Sequence, residues 1–171
     1  MKLLYVSNAR LPTRAAHGLQ IMQNCEAFTA AGADVTLWVP RRAAGRDGDH
    51  GDPFAYYGIE RTFALVRLPC VDLTQWFRPD SLPWKIAFYV EVFSFALAAL
   101  IALLFTRADR IYSRDPQVLL LLTLIRRRAQ VVYEAHNVNQ TRAGLWLQRR
   151  VLRRAGYTVA ITPPLADALD A

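Results

Sequence analysis

The sequence predicts an α/β fold, a doubly wound and mostly parallel sheet with helices on both faces, and three observations predict it. Short apolar runs stop abruptly at polar residues or proline, as buried parallel strands do. Apolar residues at helical spacing fill the stretches between them. The first forty residues hold a strand, a helix and a strand in turn, the order of a parallel, right-handed βαβ unit.

Leu3–Val6 is an apolar run stopped by Ser7 and Asn8, and a polar loop, Ala9–His17, closes at Gly18. Leu19, Met22, Cys25, Ala27 and Phe28 then repeat at helical spacing until Gly32 ends the helix. Val35–Val39 is the second strand, ended by Pro40. Residues 41–61, rich in Arg, Gly and Asp, read as one long loop. Phe63–Leu68 returns as a strand with Pro69 behind it, and Trp84–Phe105 is a long apolar helix. Arg110–Tyr112 is a strand, Pro116–Arg127 a helix and Val131–Tyr133 a strand. Thr141–Arg154 is a basic helix and Tyr157–Ile161 the last strand. The 171 residues suffice for one domain, spanning 1–171, and are tight for two.

The long helix raises the question of a membrane span. Ile86–Phe105 covers twenty residues with Glu91 and Ser94 as its main polar interruptions, a length that reaches across a bilayer. A charged side chain inside such a span costs about 3 kcal/mol on insertion scales. A strand of the same alternating pattern follows at once, and an exit through a membrane would cut the sheet in two. The expectation is a crossover helix, buried or leaning on a membrane with one face.

At 53% hydrophobic and 20% charged the chain is globular and not disordered. Its net charge of +7 comes almost wholly from arginine, with Lys2 and Lys85 the only lysines. Arginine favours two-pronged contacts to phosphate and carboxylate, which fits a nucleotide, a phospholipid surface or nucleic acid; genome composition alone gives the same bias. Cys25 and Cys70 stand far apart without metal-ligand spacing and read as reduced thiols, which suits a cytosolic protein. The opening MKLLYVSNAR has too short an apolar run for a signal peptide.

Ligands of open parallel sheets sit beyond the carboxyl ends of the strands, and there the unusual polar residues gather. Ser7 and Asn8, Ser113, Arg114 and Asp115, Glu134, His136 and Asn137, and Thr162 place four strand ends on one polar rim. The first loop is no dinucleotide fingerprint, because it offers only Gly18 where several glycines are needed; this argues against an epimerase or dehydrogenase. Gly18 either lets a phosphate reach backbone N–H groups at a helix start or merely permits a tight turn. His136 would exchange a hydrogen bond with a hydroxyl or act as a base, or it is a structural histidine held by backbone. His17 and His50 offer no partner spacing for a metal, and none is expected. Asp115 suits an N-cap with Pro116 in the first turn, which leaves Arg114 for an anion. Arg142, Trp146, Arg149, Arg150 and Arg153 share one helical face, with Leu145, Leu152 and Ala155 opposite. That face is either simply solvated or drawn to an anionic membrane; nucleic acid would feel the same charge, but no recognition motif supports it.

The ordered set YVSNARLPTRAAHGLQIMQNCEAF, VTLWVPRR, DPFAYYGI, IYSRDP, VVYEAHN and VAITPPLADAL resembles the N-terminal domain of family 4 glycosyltransferases over nearly the whole chain. The resemblance implies a Rossmann-like domain, the acceptor-side half of a GT-B architecture. It implies hexosyl transfer from a nucleotide-sugar donor to a glycan, lipid or small-molecule acceptor, with retention of configuration and without metal or other cofactor. By motif position His136 would be the catalytic residue facing the transferred sugar, and Gly18 would lie near the donor phosphates. Arg114 and Glu134 would shape the cleft, Asn8 and Thr162 border it, and His17 and Asn137 complete it. Family members also need a second domain, with paired glutamates and a basic pair for the donor, that this sequence does not contain. The expectation is therefore an incomplete enzyme, inactive without a C-terminal domain or partner subunit, in the cytoplasm and peripheral on the inner face of the membrane. The alternative is a non-catalytic module that binds a membrane or a partner.

Overall fold

The structure, a computed structural model, describes residues 1–42 and 51–170. Its core is a six-stranded sheet in the order β3-β2-β1-β4-β5-β6, in which every pairing is parallel. The strands are β1 (Lys2–Val6), β2 (Asp34–Arg41), β3 (Ala64–Pro69), β4 (Arg110–Ser113), β5 (Val131–Ala135) and β6 (Tyr157–Ala160). The helices are α1 (Ala16–Ala30), α2 (Pro53–Tyr57), α3 (Leu82–Leu104), α4 (Pro116–Leu122), α5 (Arg142–Arg154) and α6 (Pro163–Asp170).

Strand alternation divides the core in two. Leu3 and Tyr5 of β1 and Val35, Leu37 and Val39 of β2 meet Ile21, Met22 and Cys25 of α1 and Phe54 of α2. The opposite side chains, Leu4, Val6, Ile111, Val131 and Tyr133, meet α3, α4 and α5 through residues such as Phe95, Leu119 and Val151. From β1 the chain steps outward to β3, and α3 then carries it back across to β4, beside β1. Connections of one hand place α1 and α2 on one face and α3 to α5 on the other. The expected doubly wound architecture is thus the observed one, and α3 is its long crossover.

Both outer strands are open. β3 has one neighbour, and its residues are exposed or half-buried throughout; β6 has one neighbour, with Tyr157, Thr158 and Val159 exposed.

Two expectations need correction. Within the expected loop 41–61, residues 43–50, His50 among them, lie outside the described residues, but the remainder is not all loop. Pro53–Tyr57 forms α2, because Asp52 Oδ1 accepts the Phe54 N–H (3.3 Å), Pro53 fills the first turn, and Gly58 ends it at φ 65°. The helix expected over Pro116–Arg127 stops at Leu122. There Leu124 N–H donates to Leu121 and Ile125 N–H to Leu122, bonds of three-residue spacing that tighten the chain into turns. Arg126 then reaches away to donate to the carbonyls of Leu103 (3.0 Å) and Thr106 (2.6 Å), closing the exposed end of α3.

Candidate functional site

All strands run one way, so all their carboxyl ends form one rim. The chain changes winding direction between β1 and β4, and open α/β sheets leave a crevice there. A small cleft of about 190 Å³ occupies this point, lined by Ser7, Asn8, Ala9, His17, Ile21, Arg114 and Asp115. A larger cleft of about 610 Å³ adjoins it. The larger one shares Asn8, His17 and Asp115, adds Arg10 and Arg42, and is walled by Phe77, Trp84 and Phe88. Trp84 and Phe88 stack with centroids 5.6 Å apart, so the far wall is aromatic.

The rim holds its shape through carboxylates that face inward. Asp115 is not a side-chain N-cap, as the sequence led one to expect; no cap bond is formed. Its Oδ2 accepts instead from Asn8 N–H (2.7 Å) and Ser7 Oγ (3.0 Å), stitching the end of β4 to the end of β1. Burial pushes this carboxyl's pKa up, against the pull of those two hydrogen bonds and of Arg114 and Arg42. Glu91, deep in α3, pairs with Arg42 (2.8 Å), whose guanidinium also donates to the Asn8 carbonyl (2.9 Å). The Asn8 amide, oriented to satisfy both neighbours, donates to Glu91 Oε1 (2.9 Å) and accepts from Arg42 (3.2 Å).

Arg114 brings a guanidinium to the small cleft, beside the buried Asp115 carboxyl that lines it too. Arg10 is paired with Asp72 (3.2 Å) and Arg42 with Glu91. Arg114 forms no ion pair among the described residues and reaches only Gln20 Oε1, at 3.4 Å. His17 stands in the first turn of α1, where unpaired N–H groups and the helix dipole favour an anion. Burial lowers the His17 pKa, and Arg114 lowers it further. A neutral imidazole, a free guanidinium and a helix N-terminus define an anion-accepting corner.

Gly18 lies buried just inside the same helix, and its N–H donates to Ala15 O (3.0 Å). A methyl group there would collide with the Tyr57 hydroxyl and the Thr13 side chain. That hydroxyl clamps the loop by accepting from Thr13 N–H (2.7 Å) and donating to Thr13 O (2.8 Å). Packing against this clamp is a sufficient reason for glycine.

The end of β5 forms a second cluster that lines neither cleft. His136 Nε2 lies 2.8 Å from Glu134 Oε1, and Glu134 also accepts from the buried Tyr5 hydroxyl (3.0 Å). Glu134 is buried, His136 half-buried and Asn137 exposed. Thr162 is exposed, and its carbonyl opens α6 by accepting from Leu165 and Ala166 N–H. The structure therefore brings Asn8, His17 and Arg114 together, keeps Glu134 with His136 nearby on the rim, and places Thr162 at the outer strand.

Three residues escaped the sequence reading. Arg42 fell inside the presumed loop, Glu91 passed for an interruption in an apolar helix, and Gln148 looked like one polar residue of an amphipathic helix. Gln148 is fully buried; its amide donates to Tyr133 Oη (3.1 Å) and Asn137 O (2.7 Å) and accepts from Asn139 N–H (2.9 Å). It thereby holds the loop that carries His136 and Asn137. No group of His, Cys, Asp or Glu among the described residues could hold a metal ion.

A parallel sheet in this strand order, with its polar crevice at the change of winding, is a Rossmann-like domain of the kind that forms the N-terminal half of a GT-B architecture. Solved glycosyltransferases of that architecture superpose on it. HepE from Anabaena, in complex with UDP, matches with TM-score 0.59 and 11% identity over 99% of this chain and 40% of that one. Sucrose-phosphate synthase from Thermosynechococcus elongatus matches with TM-score 0.59 and 14% identity over 98% of this chain and 44% of that one. At such identities the likeness shows a GT-B-like fold, and this chain spans less than half the length of either. No protein-family model and no curated protein matches the sequence.

Proposed function

We propose that the chain is the acceptor-side half of a retaining, family 4-like glycosyltransferase that moves a sugar from a nucleotide donor and needs a second domain to do so. The observation that carries this reading is the anion-accepting corner at the β1–β4 crevice, where His17, Arg114 and the start of α1 converge beside Asn8. The UDP bound by HepE, a protein of like fold, supports a nucleoside diphosphate as the donor's leaving group. Arg114 and the α1 N-terminus, with Gly18 in its first turn, would stabilise the charge that develops on that diphosphate. His136, oriented by Glu134, would hydrogen-bond the transferred sugar, with Asn137 and Thr162 along the same rim. The larger cleft, with Arg10 and an aromatic wall of Trp84 and Phe88, would take the acceptor.

Protein-observed NMR with UDP, and with ADP, GDP and CDP in parallel, tests the reading. One diphosphate should shift His17 and the Arg114 neighbourhood at millimolar concentration, and Arg114→Ala should abolish the shift. Joined to a matching donor domain, the chain should transfer sugar, whereas alone it should not. No shift with any diphosphate, or tight binding of NAD instead, would refute the reading.

A further inference from the structure

α3 has a face that its place in the fold does not explain. One side packs on the sheet through Ala87, Val92, Phe95, Ala96, Ala99 and Leu103. The outer side of such a crossover helix is ordinarily polar, because it meets water. Here Leu82, Ile86, Phe93, Leu97, Ile101 and Leu104 occupy it, each more than half exposed. Spaced by fours, one seven and one three, they form a single stripe along 23 residues, about 34 Å of helix. Phe105, at 86% exposure, and Leu124, at 59%, extend it past the helix end, held there by the Arg126 bonds to Leu103 and Thr106. A soluble monomer rarely leaves so long an apolar surface uncovered.

The charges around the stripe say what covers it. Between Leu82 and Ala166 the acids are Glu91, Asp109, Asp115 and Glu134. Glu91 and Glu134 are buried, Asp115 is turned into the rim, and Asp109, exposed just past Arg107, accepts from the Lys2 N–H (2.7 Å). The exposed charges beside the stripe are mostly cationic: Lys85 near its start, where Asp80 is also exposed, and Arg107, Arg127 and Arg128 at its end. Beyond α4, on the same face of the sheet, α5 exposes Arg142, Arg149 and Arg153, with Arg150 5.2 Å over the exposed ring of Trp146. An apolar centre with a predominantly cationic rim matches lipid tails beneath phosphate headgroups. A second copy would bring its own arginines against these, at a repulsive cost.

We propose that this face is a membrane-docking surface, on which α3 lies in the plane of an anionic bilayer with its outer side chains among the acyl chains and the arginines at phosphate level. The helix docks and does not span, since its inner side is packed on the sheet and Glu91 is tied to Arg42. This inference stands apart from sugar transfer and survives its failure.

The test is co-sedimentation of the whole chain with vesicles of equimolar phosphatidylcholine and phosphatidylglycerol, and with phosphatidylcholine alone. The chain should sediment with the anionic vesicles and far less with the neutral ones. Replacing Ile86, Phe93 and Leu97 together by Ser should weaken partitioning by about tenfold or more, and so should Arg149→Glu with Arg153→Glu. An environment-sensitive dye on Leu97→Cys should shift to the blue on binding, while the same dye on Gln23→Cys, exposed on the α1 face, should not; this readout does not depend on the multiple variants folding. A wild-type chain that stays in the supernatant, either variant binding as well as wild type, or an unshifted Leu97 label each overturns the proposal. A dimer that the serine variant dissociates, without vesicle binding, makes the face a contact between copies instead.

Discussion

Glu91 and Arg42 meet as a two-pronged buried pair, with Glu91 Oε2 2.8 Å from Arg42 Nη2 and Oε1 3.1 Å from Nε. The one acid of the apolar crossover helix thus faces inward and fixes the residue that follows β2, which in turn holds the Asn8 carbonyl. Removing the guanidinium strands a charge that burial already disfavours. Arg42→Ala should cost about 2–4 kcal/mol in urea unfolding, and Glu91→Gln less.

The same pair sets a pH dependence. Burial raises the Glu91 pKa above its ordinary 4.5, so the folded chain holds this proton more tightly than the unfolded one. Stability from this group is present below pH 4.5 and is lost as pH rises through the folded pKa. Urea unfolding across that range should show a decline that Glu91→Gln lacks; equal slopes would sink the assignment.

His17 works with the opposite sign. Burial and Arg114 hold its pKa below 6.5, so its contribution is present above pH 6.5 and lost as pH falls through the lower, folded value. His17→Gln should remove that acid-side loss. NMR titration of the imidazole should give a midpoint below 6.5 that rises when UDP fills the cleft, because the anion offsets Arg114.

Gly18 and Tyr57 should behave as a coupled pair. Gly18→Ala drives a methyl group into the Tyr57 hydroxyl and should cost about 1–3 kcal/mol. Tyr57→Phe removes that hydroxyl along with its two bonds to Thr13. The double variant should lose less than the sum of the singles, and strict additivity would show that the clash is relieved elsewhere.

Gln148→Leu leaves the Asn137 carbonyl, the Asn139 N–H and the Tyr133 hydroxyl without their partner. A loss of about 2–3 kcal/mol is expected, together with faster amide exchange at Asn139. If Asn139 exchanges no faster, the loop before α5 is held by something other than this amide.

Much of this architecture is written locally. Each strand is an apolar run with a stop, Gly32 and Pro40 punctuate the first βαβ unit, and parallel strands must end on a common rim. So Asn8, Arg114 and His136 could be placed at strand ends from the sequence alone. What could not be read depends on partners distant in the chain. Glu91 finds Arg42 49 positions away, and Asp115 finds Asn8 107 positions away; no spacing rule reports either. α2 did carry local signals in Asp52, Pro53 and Gly58, but five residues are too few for an apolar period. The run LLLLTLI hid the end of α4, because its apolar residues continue without a break into the exposed turn at Leu124 and Ile125. Exposure was less legible: the apolar run of α3 fits a buried helix as well as one leaning on a membrane, and only the packing shows which of its side chains are exposed.

The two open strands are not equivalent. β3 carries Arg67 and Pro69, a charge and a missing N–H that discourage another strand from joining. β6 reads Tyr-Thr-Val-Ala and has neither. Its outward amides are a template without a guard, so any edge-to-edge association of this chain would be polar, beginning at β6 and leaving β3 free. Concentrated solutions of the isolated chain would then lose protein first through their least protected strand, and a charged residue at Thr158 would be the smallest change that keeps them clear.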